Sequence, residues 1–134
     1  MRILKIKNAG IALLFTCVLC LFSFTSNDDT MKNENDVYIV NTTQIGKNIK
    51  GKNGPTPLCI YIKKNKIEKI EFLNSQETPK FYDRVKKVLS EKWNNMKVND
   101  AKNLKVDAVT GATYSSEAVI KNVKAGLDYY MSHK

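Results

Sequence analysis

The segment 106–123, VDAVTGATYSSEAVIKNV, gathers Asp107, Thr110, Gly111, Ala112, Thr113, Ser115 and Ser116 directly ahead of an apolar stripe with helical spacing. Three kinds of chemistry suit short polar residues in such a place. Ser115 or Ser116 would cap a helix, with Glu117 adding negative charge to its first turn. The unpaired amides of that helix start would cradle an anion without help from a lysine. A threonine hydroxyl there would also serve as the address for a covalent modification. Thr110 and Thr113 bracket Gly111, which admits a positive φ or a close backbone approach.

Other site chemistries lack material. The one histidine, His133, stands next to the C-terminus, so a histidine zinc site or a catalytic triad is not expected. Of three cysteines, Cys17 and Cys20 lie in an apolar N-terminal run. Cys59, in PLCIYI, is expected as a lone buried thiol with no intramolecular partner. The 134-residue chain has a formal net charge of +9. Its lysines are spread along the chain rather than interleaved with aromatics on one face, which excludes a nucleic-acid-binding reading.

The elements that must position the segment follow from patterning. Arg2, Lys5 and Lys7 precede an apolar run, Ile11 to Phe24, and no acid occurs before Asp28. The run is short of the roughly 20 residues of a membrane-spanning helix and has the form of a secretory signal. Residues 1–26 are therefore expected to direct export, either cleaved or retained as an anchor, with 27–36 a polar tether and 37–134 one domain. VYIVNT (37–42) reads as a first strand, and 45–57 as a loop punctuated by Gly46, Gly51, Gly54, Pro55 and Pro57. Strands over 58–64 and 67–73, joined by Asn65-Lys66, read as a hairpin. Pro79 suits a helix start, and Phe81, Val85, Val88, Leu89 and Trp93 mark one face of a helix over 80–93. After a polar loop and a short extended piece at 105–109 comes a last helix over about 115–132, with Val119, Ile120, Val123, Leu127 and Tyr130 inward. Strands first and helices after predict an α+β domain, its helices packed on a mostly antiparallel sheet.

Within this framework, Asp107-Ala108-Val109-Thr110-Gly111-Ala112-Thr113 resembles the flavinylation motif of the FMN-binding domain family: Asp, two variable residues, Ser or Thr, Gly, Ala, Thr. That family includes the C subunit of the sodium-pumping NADH:quinone oxidoreductase, the G subunit of the related Rnf complex, and many small exported single-domain proteins. Gly51-x-x-Gly54-Pro55 and Glu77-Thr78-Pro79 resemble two further family elements, in the same order, and the likeness runs over about 38–130. One departure is Lys80-Phe81-Tyr82, where many members continue with glycines.

The resemblance implies that Thr113 carries FMN through a phosphoester, installed by a separate flavin transferase using FAD and Mg²⁺. A threonine hydroxyl is a weak nucleophile, and no adjacent His or Lys activates Thr113, which fits an external enzyme. It further implies cofactor-binding roles for Gly54, Pro55, Glu77, Thr78, Thr110, Tyr114 and Ser115. Asp107 would be a recognition or turn-fixing residue, Ala112 would leave room for the attached chain, and Gly111 would let the transferase grip the loop. The helix start and Lys105 would stabilise the phosphodiester. Tyr82, Trp93 and Tyr114 are candidates to stack on the flavin ring. The function implied is extracytoplasmic electron transport between membrane-associated redox partners, rather than catalysis on a small substrate of its own. Reversible FMN binding or sensing, and a cofactor-free interaction domain on the same scaffold, are the alternatives.

Overall fold

A computed structural model describes residues 29–134. The expected export signal over 1–26 lies outside the described residues. Four strands form one antiparallel meander in the order β1 (Met31–Glu34), β2 (Val37–Asn41), β3 (Leu58–Lys63) and β4 (Lys66–Phe72). Three helices follow: α1 (Pro79–Leu89), α2 (Val98–Asn103) and α3 (Thr113–His133). This is the α+β arrangement the element order predicts.

Both tight hairpins use two consecutive residues with positive φ, Asn35-Asp36 between β1 and β2 and Lys64-Asn65 between β3 and β4. That backbone matches the twist of the flanking strands. Two expectations are corrected here. Residues 31–34 form an edge strand on β2 where a tether was expected, because MKNE lacks apolar alternation yet pairs through its backbone from Met31↔Val40 to Glu34↔Val37. The second turn is Lys64-Asn65 rather than Asn65-Lys66. Lys66 belongs to β4, opposite Lys63, and the register shifts between Tyr61↔Lys69 and Ile62↔Ile67, leaving Glu68 as an extra residue. This bulge turns Ile67 and Ile70, three apart, to the same buried face.

α3 lies across β2 and β3 and packs beside α1 and α2. Val119, Val123, Leu127 and Tyr130 meet Val40, Leu58, Ile60, Ile62, Ile67 and Ile70 in one core. At Gly126 a Cβ would come within 2.6 Å of Ile60 Cδ1, so the close helix–sheet approach depends on that glycine. The buried Asn122 amide donates from Nδ2 to Thr56 O and Thr56 Oγ1, both at 3.0 Å, and fastens α3 to the start of β3. At the far end of α3, Tyr130 Oη donates to Asn65 Oδ1 at 2.6 Å and its ring meets Tyr38 edge-on. Cys59 is free and buried on β3, and burial, then the Glu71 charge, raises its thiol pKa.

α1 ends at Leu89, so Trp93 is not on a helix as the spacing predicts. It stands in the turns after α1 and still enters the core, 1% exposed. Trp93→Ala is expected to lower stability by about 3–5 kcal/mol, read from urea melts followed by circular dichroism. A loss below about 1 kcal/mol would place the indole outside the core.

Candidate functional site

The loop before β3 closes on itself. Gly51 N donates to Gly54 O at 2.8 Å, and Lys50 bridges to Pro55. The two amides at the tip of this turn point at one carboxylate. Lys52 N donates to Glu77 Oε1 at 2.7 Å and Asn53 N to Glu77 Oε2 at 2.5 Å. Glu77 is 4% exposed and also accepts from Ser115 Oγ at 2.6 Å. A buried carboxylate needs several donors, and here three are supplied from two distant segments. Gly51 is required by this contact, since a Cβ there would collide with the Glu77 carboxyl group. Gly54 is not held to glycine in the same way, for its nearest neighbour would be Gln76 Cβ at 3.8 Å.

Thr78 follows in extended geometry, its side chain accepting from Asn53 Nδ2 at 3.1 Å, and Pro79 opens α1 as expected. On α1, Arg84 reaches back to the loop ahead of α3 and donates from Nη1 to Thr110 O at 3.3 Å. That loop is a tight turn. Ala112 N donates to Val109 O at 2.9 Å, and Gly111 takes φ +81° in the third position, where such a turn demands a positive φ. Ser116 Oγ staples the turn from inside. It accepts from Val109 N at 2.9 Å and donates to Ala112 O at 2.7 Å.

The serines therefore do not cap α3 as expected. The helix begins earlier, at Thr113, with Ala112 in the cap position and no side-chain cap. The turn closes at Ala112, so helical geometry starts at the next residue and both serines fall inside the first turn, facing inward. Thr113 is the first helical residue and is exposed. Its hydroxyl makes no hydrogen bond among the described residues, and the amides of Thr113, Tyr114 and Ser115 have no intrahelical partner.

One open cleft of about 290 Å³ is lined by Lys52, Asn53, Glu77, Thr78, Phe81 and the run Gly111 to Ser115. Seven residues singled out from sequence thus share it: Glu77, Thr78, Gly111, Ala112, Thr113, Tyr114 and Ser115. Four others do not. Gly54 and Pro55 line a neighbouring groove with Lys47, Lys50 and Ser75, turned away because the Gly51–Gly54 turn offers its inner amides, not its end, to Glu77. Asp107 and Thr110 lie on the other side of the loop that precedes α3, in a groove with Arg84, Val88, Lys92 and Lys105. Lys105 is on that side too, rather than beside Thr113. Of the stacking candidates, Tyr114 lines the cleft at 67% exposure, whereas Trp93 and Tyr82 are in the core. The residues missed from sequence are Lys52 and Asn53, whose backbone amides hold Glu77, with Asn53 also bonding Thr78 through its side chain, and Phe81, whose helical spacing marked it as core.

FMN suits these residues. Its phosphate would meet the unpartnered amides at the α3 start, next to a free hydroxyl. Phe81 and Tyr114 offer aromatic faces, and the cleft, at the small end for ligand pockets, would leave part of the cofactor in water.

Two expected outcomes follow from the Glu77 environment. Glu77→Ala strips three donors of their acceptor, and Gly51→Ala forces the same contact apart. Each should cost about 3 kcal/mol in denaturant melts and shift the amide resonances of Lys52, Asn53 and Ser115, while unchanged spectra there would remove the carboxylate from its assigned place. Tyr82 Oη, buried and without a partner, has its pKa pushed up to about 12 by burial and then by the Glu77 charge. The unfolded value is about 10, so the folded state holds the proton more tightly. The resulting stability is present below about pH 10 and is lost as pH rises through about 12. Tyr82→Phe should flatten that alkaline decline and add about 1 kcal/mol at neutral pH, read from urea melts across the range.

The sequence model of the FMN-binding domain matches residues 51–128, from the Gly51 turn almost to the end of α3. No curated protein and no solved structure matches the chain significantly. The matched span covers more than half of the chain and holds every residue that lines the cleft, so this chain belongs to the FMN-binding domain family and takes FMN as its cofactor.

Proposed function

We propose that Thr113 carries FMN as a phosphoester and that the domain moves electrons between membrane-associated redox partners outside the cytoplasm. The observation that supports this most is the state of Thr113. It is the one hydroxyl in the Asp-x-x-Thr-Gly-Ala-Thr run that is exposed, at the first position of a helix, on the cleft, and free of hydrogen bonds. A flavin transferase with FAD and Mg²⁺ would make the bond. The Thr113 oxygen attaches to the phosphorus on the riboflavin side of FAD, the pyrophosphate linkage breaks, AMP leaves, and the hydroxyl proton passes to solvent.

The chain's own residues hold rather than react. The α3 amides receive the single negative charge of the diester, Glu77 fixes the cleft floor, and Phe81 and Tyr114 shield one side of the ring from water. The bound flavin supplies the redox chemistry. Asp107 is exposed and makes no hydrogen bond among the described residues, so turn-fixing falls away and recognition by the transferase is the role it retains. The export expectation rests on the basic start and apolar run of residues 1–26. A covalent link suits that location, since a released flavin would be lost.

Intact-mass analysis of chain made together with a transferase tests the assignment. A gain of one FMN less one water is expected, absent in Thr113→Ala. Asp107→Ala should lower the modified fraction about tenfold or more without moving the melting temperature. Yellow colour wholly released on denaturation would instead establish reversible binding, and an unchanged mass with active transferase present would sink the covalent reading.

A further inference from the structure

Among the described residues, four large apolar side chains stand exposed, and three flank the attachment loop: Phe81 and Tyr114 on the cleft, Val88 on the groove behind. Single exposed apolar residues are ordinary, but three gathered round one functional loop are not. Arg84, Val88 and Lys92 recur four residues apart along one side of α1 and the turn after it. Lys105 faces them across the groove, and Asp107 is the only acid lining it. The four ion pairs of the described residues involve none of Arg84, Lys92 and Lys105. Asp83 of α1 is already taken by Lys86 at 3.2 Å. The result is apolar side chains on both sides of the loop and, behind it, three cations set against one acid, the composition of a docking face that steers and seats a negatively charged protein.

We propose that this face docks an acidic electron-transfer protein beside the flavin. The proposal rests on the flavin-carrying function above. Phe81 and Tyr114 belong both to the docking face and to the cleft wall, so a partner seated on them lies against the cofactor site. Plain attraction to anionic lipid would favour the other end of α3, where Lys64, Lys66, Lys97 and Lys134 line a single cavity with Met131. The attachment-loop face has fewer cations but three apolar contacts, which favours a protein surface.

The test uses the full chain, nitrogen-15 labelled and checked by intact mass for its flavin, so a failure of flavinylation is seen before docking is read. The probe is an acidic flavodoxin, both proteins oxidised so that no electron passes. Amide shifts are expected to gather in 80–92 and 104–114, with affinity falling about tenfold between low and physiological salt. Lys92→Glu with Lys105→Glu should lose about tenfold in affinity. Lys64→Glu with Lys97→Glu, an equal change of charge at the far end, should stay within about twofold. Val88→Ser with Tyr114→Ser should weaken binding while keeping its salt dependence. Shifts gathering at 63–66 and 97, equal losses in both charge-reversal variants, or no shifts at low salt would each overturn the proposal. Binding to phosphatidylglycerol vesicles that Lys92→Glu with Lys105→Glu abolishes, with flavodoxin giving no shifts, would reassign the face to the membrane.

Discussion

The Glu77 carboxyl group is the constraint on which the rest of the site depends. It joins three segments that no secondary structure holds together: the Gly51–Gly54 turn, the strap that leads into α1, and the first turn of α3. Its partners lie 24, 25 and 38 residues away in sequence. A charged group at 4% exposure is costly unless its lone pairs are filled, and here backbone amides and a serine hydroxyl fill them. The same charge sits against the positive end of the α3 dipole, which lacks an acid in its own first turn. One side chain therefore shapes the cleft floor and fixes where α3 starts relative to α1.

The helix start is the second half of this design. Ser115 reaches across to Glu77, while Ser116 reaches back to Val109 and Ala112. The Ser115 hydroxyl is spent on Glu77 and that of Ser116 on the turn, so neither acts as a cap. The first amides of the helix are left unpaired on the cleft side, beside Thr113. An ordinary capped helix would have filled that position with its own side chain. What looks like a missing cap is thus the feature that leaves room for an anion.

Much of this was legible in the sequence because it rests on patterns that sequence carries directly. Helical periodicity placed α1 and α3, β-branched runs placed β2 and β3, and the resemblance of 107–113 to the family motif singled out Thr113, Gly111 and Ala112. Several of the failures share a cause, which is structure held by the backbone rather than by side-chain identity. β1 has a polar sequence and pairs through its peptide groups. The hairpin turn slipped by one residue because the Glu68 bulge breaks the two-residue alternation near Ile67. Lys52 and Asn53 contribute N–H groups, which any residue but proline would offer. Asn122 and Ser116, polar and fully buried, show their value only once Thr56 and the Val109–Ala112 turn are placed against them.

The contrast between Thr113 and its neighbours bears on how an enzyme would reach it. Thr113, Tyr114, Gly111 and Thr110 are exposed, while Ala112, Ser115 and Ser116 are buried. The exposed atoms of the turn form a ridge between the cleft on one side and the Arg84 groove on the other. Under the proposed modification, an enzyme would have access to this ridge from both sides while its buried anchors, Ser115 and Ser116, stay in place. Far from the ridge, α3 is held by Tyr130 on Asn65 and by the packed Tyr38 ring, so the strain of gripping meets a helix fixed at its other end. Accessibility of the hydroxyl and rigidity of its support are therefore compatible here, since they are assigned to different residues of one short segment.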